Sequence, residues 1–118
     1  MRLGHDIAER LLEFALAAVR VAGDLPRDVA GRHVASQLVR SATGGGANYE
    51  EARAAESRDD FIHKVLIAAK ELREAIFWLE LVHRAHWTAI DLAPTIDEAN
   101  QLAAILAASA RTARTRLS

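Results

Sequence analysis

Phe61, Val65, Ala68, Leu72, Ala75, Leu79 and Val82 step by four and three without a fault. That spacing draws one continuous stripe along a helical face. Ser57, with Asp60 three residues on, supplies an N-cap and an acidic first turn suited to the helix dipole, so a helix is predicted over about 58–85. The first block behaves alike. Ile7, Leu11, Phe14, Ala18 and Val21 recur at helical spacing, Asp6 with Glu9 reads as a start, and Gly23, Asp24, Leu25 and Pro26 read as a stop. This predicts a helix over about 6–23. After a loop from His86 to Ala93, Pro94, Thr95 and Glu98 have capping-box spacing, and Ile96, Ala99, Ala103, Leu106, Ala110 and Ala113 give a last helix over about 94–115 its stripe.

In the second block the local rules conflict. Val34, Ala35, Leu38, Val39 and Ala42 form a helical face that runs into Gly44, Gly45 and Gly46, each costing roughly 1 kcal/mol relative to alanine in a helix. A helix-compatible pattern resumes at Ala47, Tyr49, Ala52 and Ala55. Either a glycine loop splits the block, or one helix over about 28–56 uses its glycines to admit a neighbour's backbone.

Only two prolines occur, Pro26 and Pro94, both in short polar breaks between long runs of good helix formers. Short breaks between successive helices imply antiparallel neighbours. The expected fold is all-α, a single up-down-up-down four-helix bundle over 1–118. Leu12, Leu16, Ile62, Ile76, Phe77, Leu102 and Ile105 are apolar beyond the stripes, which points to self-association over a merely broad core face.

Composition narrows the function. With no cysteine, disulfides, thiolate zinc sites, iron–sulfur clusters and cysteine nucleophiles are excluded. Fifteen Lys and Arg against sixteen Asp and Glu give net −1, so nucleic acid can be held only through a local patch. No apolar run reaches the roughly 20 residues of a membrane span, and Met1 to Arg10 lacks signal-peptide order, so a cytoplasmic protein without membrane contact is expected.

Arg40-Ser41-Ala42-Thr43-Gly44-Gly45-Gly46-Ala47-Asn48-Tyr49-Glu50-Glu51-Ala52 is followed by Ser57, Asp60-Phe61-Ile62-His63-Lys64 and Ala69-Lys70-Glu71, then Glu74, Trp78, Leu79 and Leu81. Together with Leu25-Pro26 and Gln37-Leu38, these residues resemble the four-helix-bundle family of 23S rRNA intervening-sequence proteins. The similarity runs from about residue 25 to 85. It implies an unbroken second helix, with a triple glycine where the family usually has a bulkier residue, and a homopentameric, barrel-like assembly. It extends to the accessory variability proteins of diversity-generating retroelements, which implies nucleic acid, and a protein such as a reverse transcriptase, as partners.

Within the motif, Ser41, Asn48, Tyr49 and Glu50 are read as lining a shared surface or an interhelical hydrogen-bond network, with Ser41 and Asn48 satisfying each other or backbone groups inside the bundle and ligand contact the alternative. Arg40, His63 and Trp78 are grouped with them as family-motif positions. Asp60 with Lys64, and Lys70 with Glu74, are spaced as surface ion pairs. Arg111, Arg114 and Arg116, with no acidic residue nearby in sequence, are the candidate nucleic-acid contacts, since the planar guanidinium fork suits phosphate.

No cofactor or metal is expected. Di-iron bundles use paired Glu-x-x-His motifs; Glu80-Leu81-Val82-His83 fits once, and Asp60-Phe61-Ile62-His63 is an approximate echo on the same helix. The expected function is a non-enzymatic oligomeric binding or scaffold protein. The alternative is a small HEPN-like ribonuclease using Arg27 and His33, whose spacing resembles the arginine-to-histidine motif of those toxins.

Overall fold

A computed structural model describes residues 4–116; the first three and last two residues of the expected 1–118 domain lie outside it. Its elements are α1 (His5–Gly23), α2 (Val29–Arg53), α3 (Arg58–Ala85) and α4 (Ala93–Thr115). Each helix packs on the next in sequence, and α1 meets α4, closing a ring of four in a body measuring 52 × 23 × 20 Å. Leu11, Leu38, Leu72, Leu79, Leu102 and Leu106 are fully buried along the axis of this all-α bundle. Each such side chain contributes about 1.5–3 kcal/mol of transfer free energy. Among the described residues no helix is long and apolar enough to cross a membrane.

The helix starts follow capping chemistry in the middle of the chain and depart from it at both ends. Ser57 Oγ accepts from the Asp60 N–H at 3.0 Å, and Asp28 Oδ1 accepts from the Gly31 N–H at 2.8 Å. The capping roles expected of Asp6 and of Thr95 with Glu98 are corrected, while both helices start within one residue of the expected positions. Gly4 precedes α1 in the left-handed region (φ 89°) without a side-chain cap, and Asp6 lies in the first helical turn. α4 begins at Ala93, whose N–H donates to Asp91 Oδ1 at 3.1 Å, while Glu98 is drawn to Arg10 on α1. α2 stops at Arg53, short of the expected residue 56. The physical reason is the next cap: Ser57 is extended (φ −141°, ψ 160°), so the chain must leave helical geometry before it.

α2 runs unbroken through Gly44, Gly45 and Gly46. A Cβ on Gly45 would sit 3.1 Å from Leu72 Cδ2, and one on Gly44 would sit 3.2 Å from Glu71 Cδ. Gly44 and Gly45 therefore exchange helix propensity for close approach of α3. Of the extra apolar residues, Ile62 and Leu102 belong to the core, whereas Leu12, Leu16 and Phe77 face outward.

Candidate functional site

The motif residues form a polar seam between α2 and α3. Arg40 extends one guanidinium nitrogen to Glu71 Oε1 at 3.2 Å and another to Glu74 Oε2, while its Nε donates to Gln37 on its own helix. Glu74 Oε2 also accepts from Trp78 Nε1 at 3.1 Å. These two donors, Arg40 first, hold the Glu74 carboxyl below the usual carboxylate range against a smaller opposing effect of burial. Trp78 packs edge-on against His33, ring centroids 5.7 Å apart, and against Phe77 at 4.9 Å. Ser41 Oγ donates to the Gln37 carbonyl at 2.8 Å and Asn48 Nδ2 to the Gly44 carbonyl at 2.9 Å, so both polar groups are satisfied by their own helix.

The direct ion-pair contacts are interhelical, while Asp60 and Lys70 still act on Lys64 and Glu74 through their charges at longer range. Lys64 Nζ donates to Glu51 Oε1 on α2 at 2.7 Å rather than to Asp60, and Glu74 goes to Arg40 rather than to Lys70. Arg40 offers Glu71 and Glu74 separate guanidinium donors where Lys70 offers a point charge. Asp60, His63 and Lys70 are exposed on α3.

A second cluster lies where α2 ends, α3 begins and α4 ends. The antiparallel order brings Arg58, in the first turn of α3, to the α4 terminus, where its Nη1 donates to the Arg116 carbonyl at 3.2 Å. Beside this contact is a cavity of about 610 Å³ walled by Tyr49, Phe61, Ser109 and Thr112. Its charged lining residues, among those described, are Arg53, Arg58 and Arg116. Glu50 and Asp59 approach Arg53 and Arg58 at 3.3 and 4.0 Å without lining the cavity. Burial pushes the Tyr49 phenol upward, and the Arg53 charge opposes that shift.

Arg114 faces a neighbouring hollow shared with Arg58, Asp59 and His63, and Arg111 is exposed one turn earlier on α4. Arg116 is the residue capping α4 rather than part of the helix. Sequence reading missed Arg53 and Arg58 as members of this cluster. The available signal was topological, since an antiparallel α3–α4 pair must bring residue 58 to the α4 terminus.

Three other features complete the surface. Leu12, 61% exposed, is in line with exposed Leu16 and Val19 on α1, beside an apolar groove walled by Ala8, Ala15 and Ala47. Arg27 is exposed in the α1–α2 loop, and His33 is in the first turns of α2 with its ring against Trp78. Glu80 and His83 border a shallow hollow with Asp97, and no group of three or more His, Asp or Glu among the described residues is placed to hold a metal.

The comparisons with known proteins agree with this architecture. No curated protein matches the chain. A crystal structure of a protein with unknown function from the S23 ribosomal protein family of Bacteroides thetaiotaomicron VPI-5482 is similar at a TM-score of 0.80 and 32% identity. The match covers 89% of this chain and 98% of that one. The family model described as 23S rRNA-intervening sequence protein matches residues 5–108, and the chain belongs to that family.

Proposed function

We propose that this protein is a non-enzymatic scaffold that self-assembles, as a homopentamer, and contacts nucleic acid through the arginine-rich end of its bundle. The observation that carries the reading is the gathering of Arg58, Arg114 and Arg116 where α3 begins and α4 ends, with exposed Arg111 one turn earlier; Asp59 and Asp60 share the first turn of α3, so the α4 arginines supply the charge that Asp59 does not offset. Guanidinium groups at that end suit a phosphate backbone, and repetition in an oligomer multiplies a weak patch into an avid one. The exposed Leu12, Leu16 and Val19 stripe beside a groove walled by small residues supports self-association; the count of five comes from the family resemblance.

The test is anisotropy of labelled single-stranded RNA at low salt with wild type and with the double variant Arg111→Glu, Arg114→Glu. Affinity should fall at least about tenfold, and the salt slope should flatten by roughly 0.7 for each phosphate that the variant leaves unneutralised. Unchanged affinity would defeat the reading. The ribonuclease alternative is separated by His33→Ala, which abolishes cleavage in a ribonuclease and leaves RNA binding untouched in a scaffold.

A further inference from the structure

We propose that the cavity between the ends of α2, α3 and α4 is a binding site for a nucleoside 5′-phosphate. This rests on the nucleic-acid reading above and narrows it from a strand backbone to a single nucleotide unit. At about 610 Å³ the cavity falls within the size range of small-ligand sites, roughly 300–1,000 Å³. Among the described residues the charges lining it have one sign, Arg53, Arg58 and Arg116, with Glu50 on Arg53 and Asp59 near Arg58 outside the lining, so the complementary ligand carries negative charge. One carboxylate engages one guanidinium fork. A phosphate, with three terminal oxygens and up to two charges, can engage several.

The remaining wall answers the rest of a nucleotide. Phe61 and Ala113 give an apolar face against which a planar base can lie, and the hydroxyls of Ser109 and Thr112 can exchange hydrogen bonds with a ribose or a base edge. Tyr49 is buried against the bundle with its phenol beside Gly4. Such a phosphate has two sources: a free mononucleotide or the 5′-terminal residue of a strand.

Calorimetric titration of the full-length protein with AMP, and with one oligoribonucleotide carrying either a 5′-phosphate or a 5′-hydroxyl, distinguishes them. Arg58→Ala and Arg116→Ala are compared with Arg73→Ala, an exposed α3 arginine away from the cavity, and circular dichroism confirms that each variant folds. The expected result is binding that depends on the 5′-phosphate and weakens about tenfold or more in both cavity variants, with Arg73→Ala unchanged. AMP binding without strand binding supports the site with a free nucleotide as its source, and then the nucleic-acid reading falls. Preferential binding of the 5′-phosphorylated strand supports it with a strand end as its source. Strand binding that ignores the 5′-phosphate and the cavity variants overturns this site while leaving the nucleic-acid reading intact. Absence of all binding at millimolar ligand overturns both.

Discussion

Arg10 on α1 grips Glu98 on α4 with both arms of its guanidinium, Nε to Oε2 and Nη2 to Oε1, each at 2.8 Å. The pair spans the slimmest of the four seams in the ring, so it has more influence on closure than its partial exposure suggests. Bidentate geometry places it at the upper end of surface pairs, about 0.5–1 kcal/mol after solvent screening. Arg10→Ala should lower unfolding free energy by about that amount in urea titration, and a double-mutant cycle with Glu98→Gln should return a coupling of similar size that shrinks in high salt.

Acid should act through the same carboxylates. Arg10 holds the Glu98 carboxyl below its ordinary range, and Arg40 with Trp78 does so for Glu74. A carboxyl whose folded pKa is depressed adds stability that is present above the unfolded value and disappears as pH falls through the folded one. Stability should therefore decline from about pH 5 downward, and the double variant Glu74→Gln, Glu98→Gln should show a shallower decline in denaturant titrations at stepped pH.

Two glycines of α2 should respond in opposite directions to alanine. A Cβ on Gly31 would lie 1.9 Å from the Pro26 carbonyl oxygen, a backbone atom that can move only with the α1–α2 loop. Gly31→Ala should cost more than about 2 kcal/mol. At Gly46 the nearest atom to a new Cβ is Leu11 Cβ at 3.6 Å, an ordinary contact, so Gly46→Ala should gain about 0.5–1 kcal/mol from helix propensity. Thermal melts of the two variants check the contrast.

The exposed α1 stripe should matter to assembly and hardly at all to protomer folding. Leu16→Glu places a charge between Leu12 and Val19, away from the core residues Phe14, Ala18 and Val21. Helix content should be retained, with a stability change within about 0.5 kcal/mol once assembly is accounted for, while the sedimenting mass falls.

The buried stripes were legible because they repeat: Val65, Ala68, Leu72, Ala75, Leu79 and Val82 are all at or near zero exposure, as their spacing requires. The glycine run was ambiguous because propensity is local, whereas what decides it is Leu72 on another helix. The same limit explains the ion pairs. Spacing along α3 offers Lys64 to Asp60 and Lys70 to Glu74, but the folded neighbours offer Glu51 and Arg40. Thr95 with Glu98 has capping spacing, yet Arg10 competes for the glutamate from 88 residues away. The arginine-rich end was half visible: Arg111, Arg114 and Arg116 stand out in sequence, while Arg53 and Arg58 join Arg116 at the cavity only through the antiparallel order of the helices.

Light scattering during size-exclusion chromatography, with absorbance recorded at nucleic-acid and protein wavelengths, tests the central claim most directly. The expected result is a single species of about five 12.9 kDa protomers that carries excess nucleic-acid absorbance, removed by high salt. A monomer whose absorbance is that of protein alone, and which gains none when RNA is added at low salt, would contradict it.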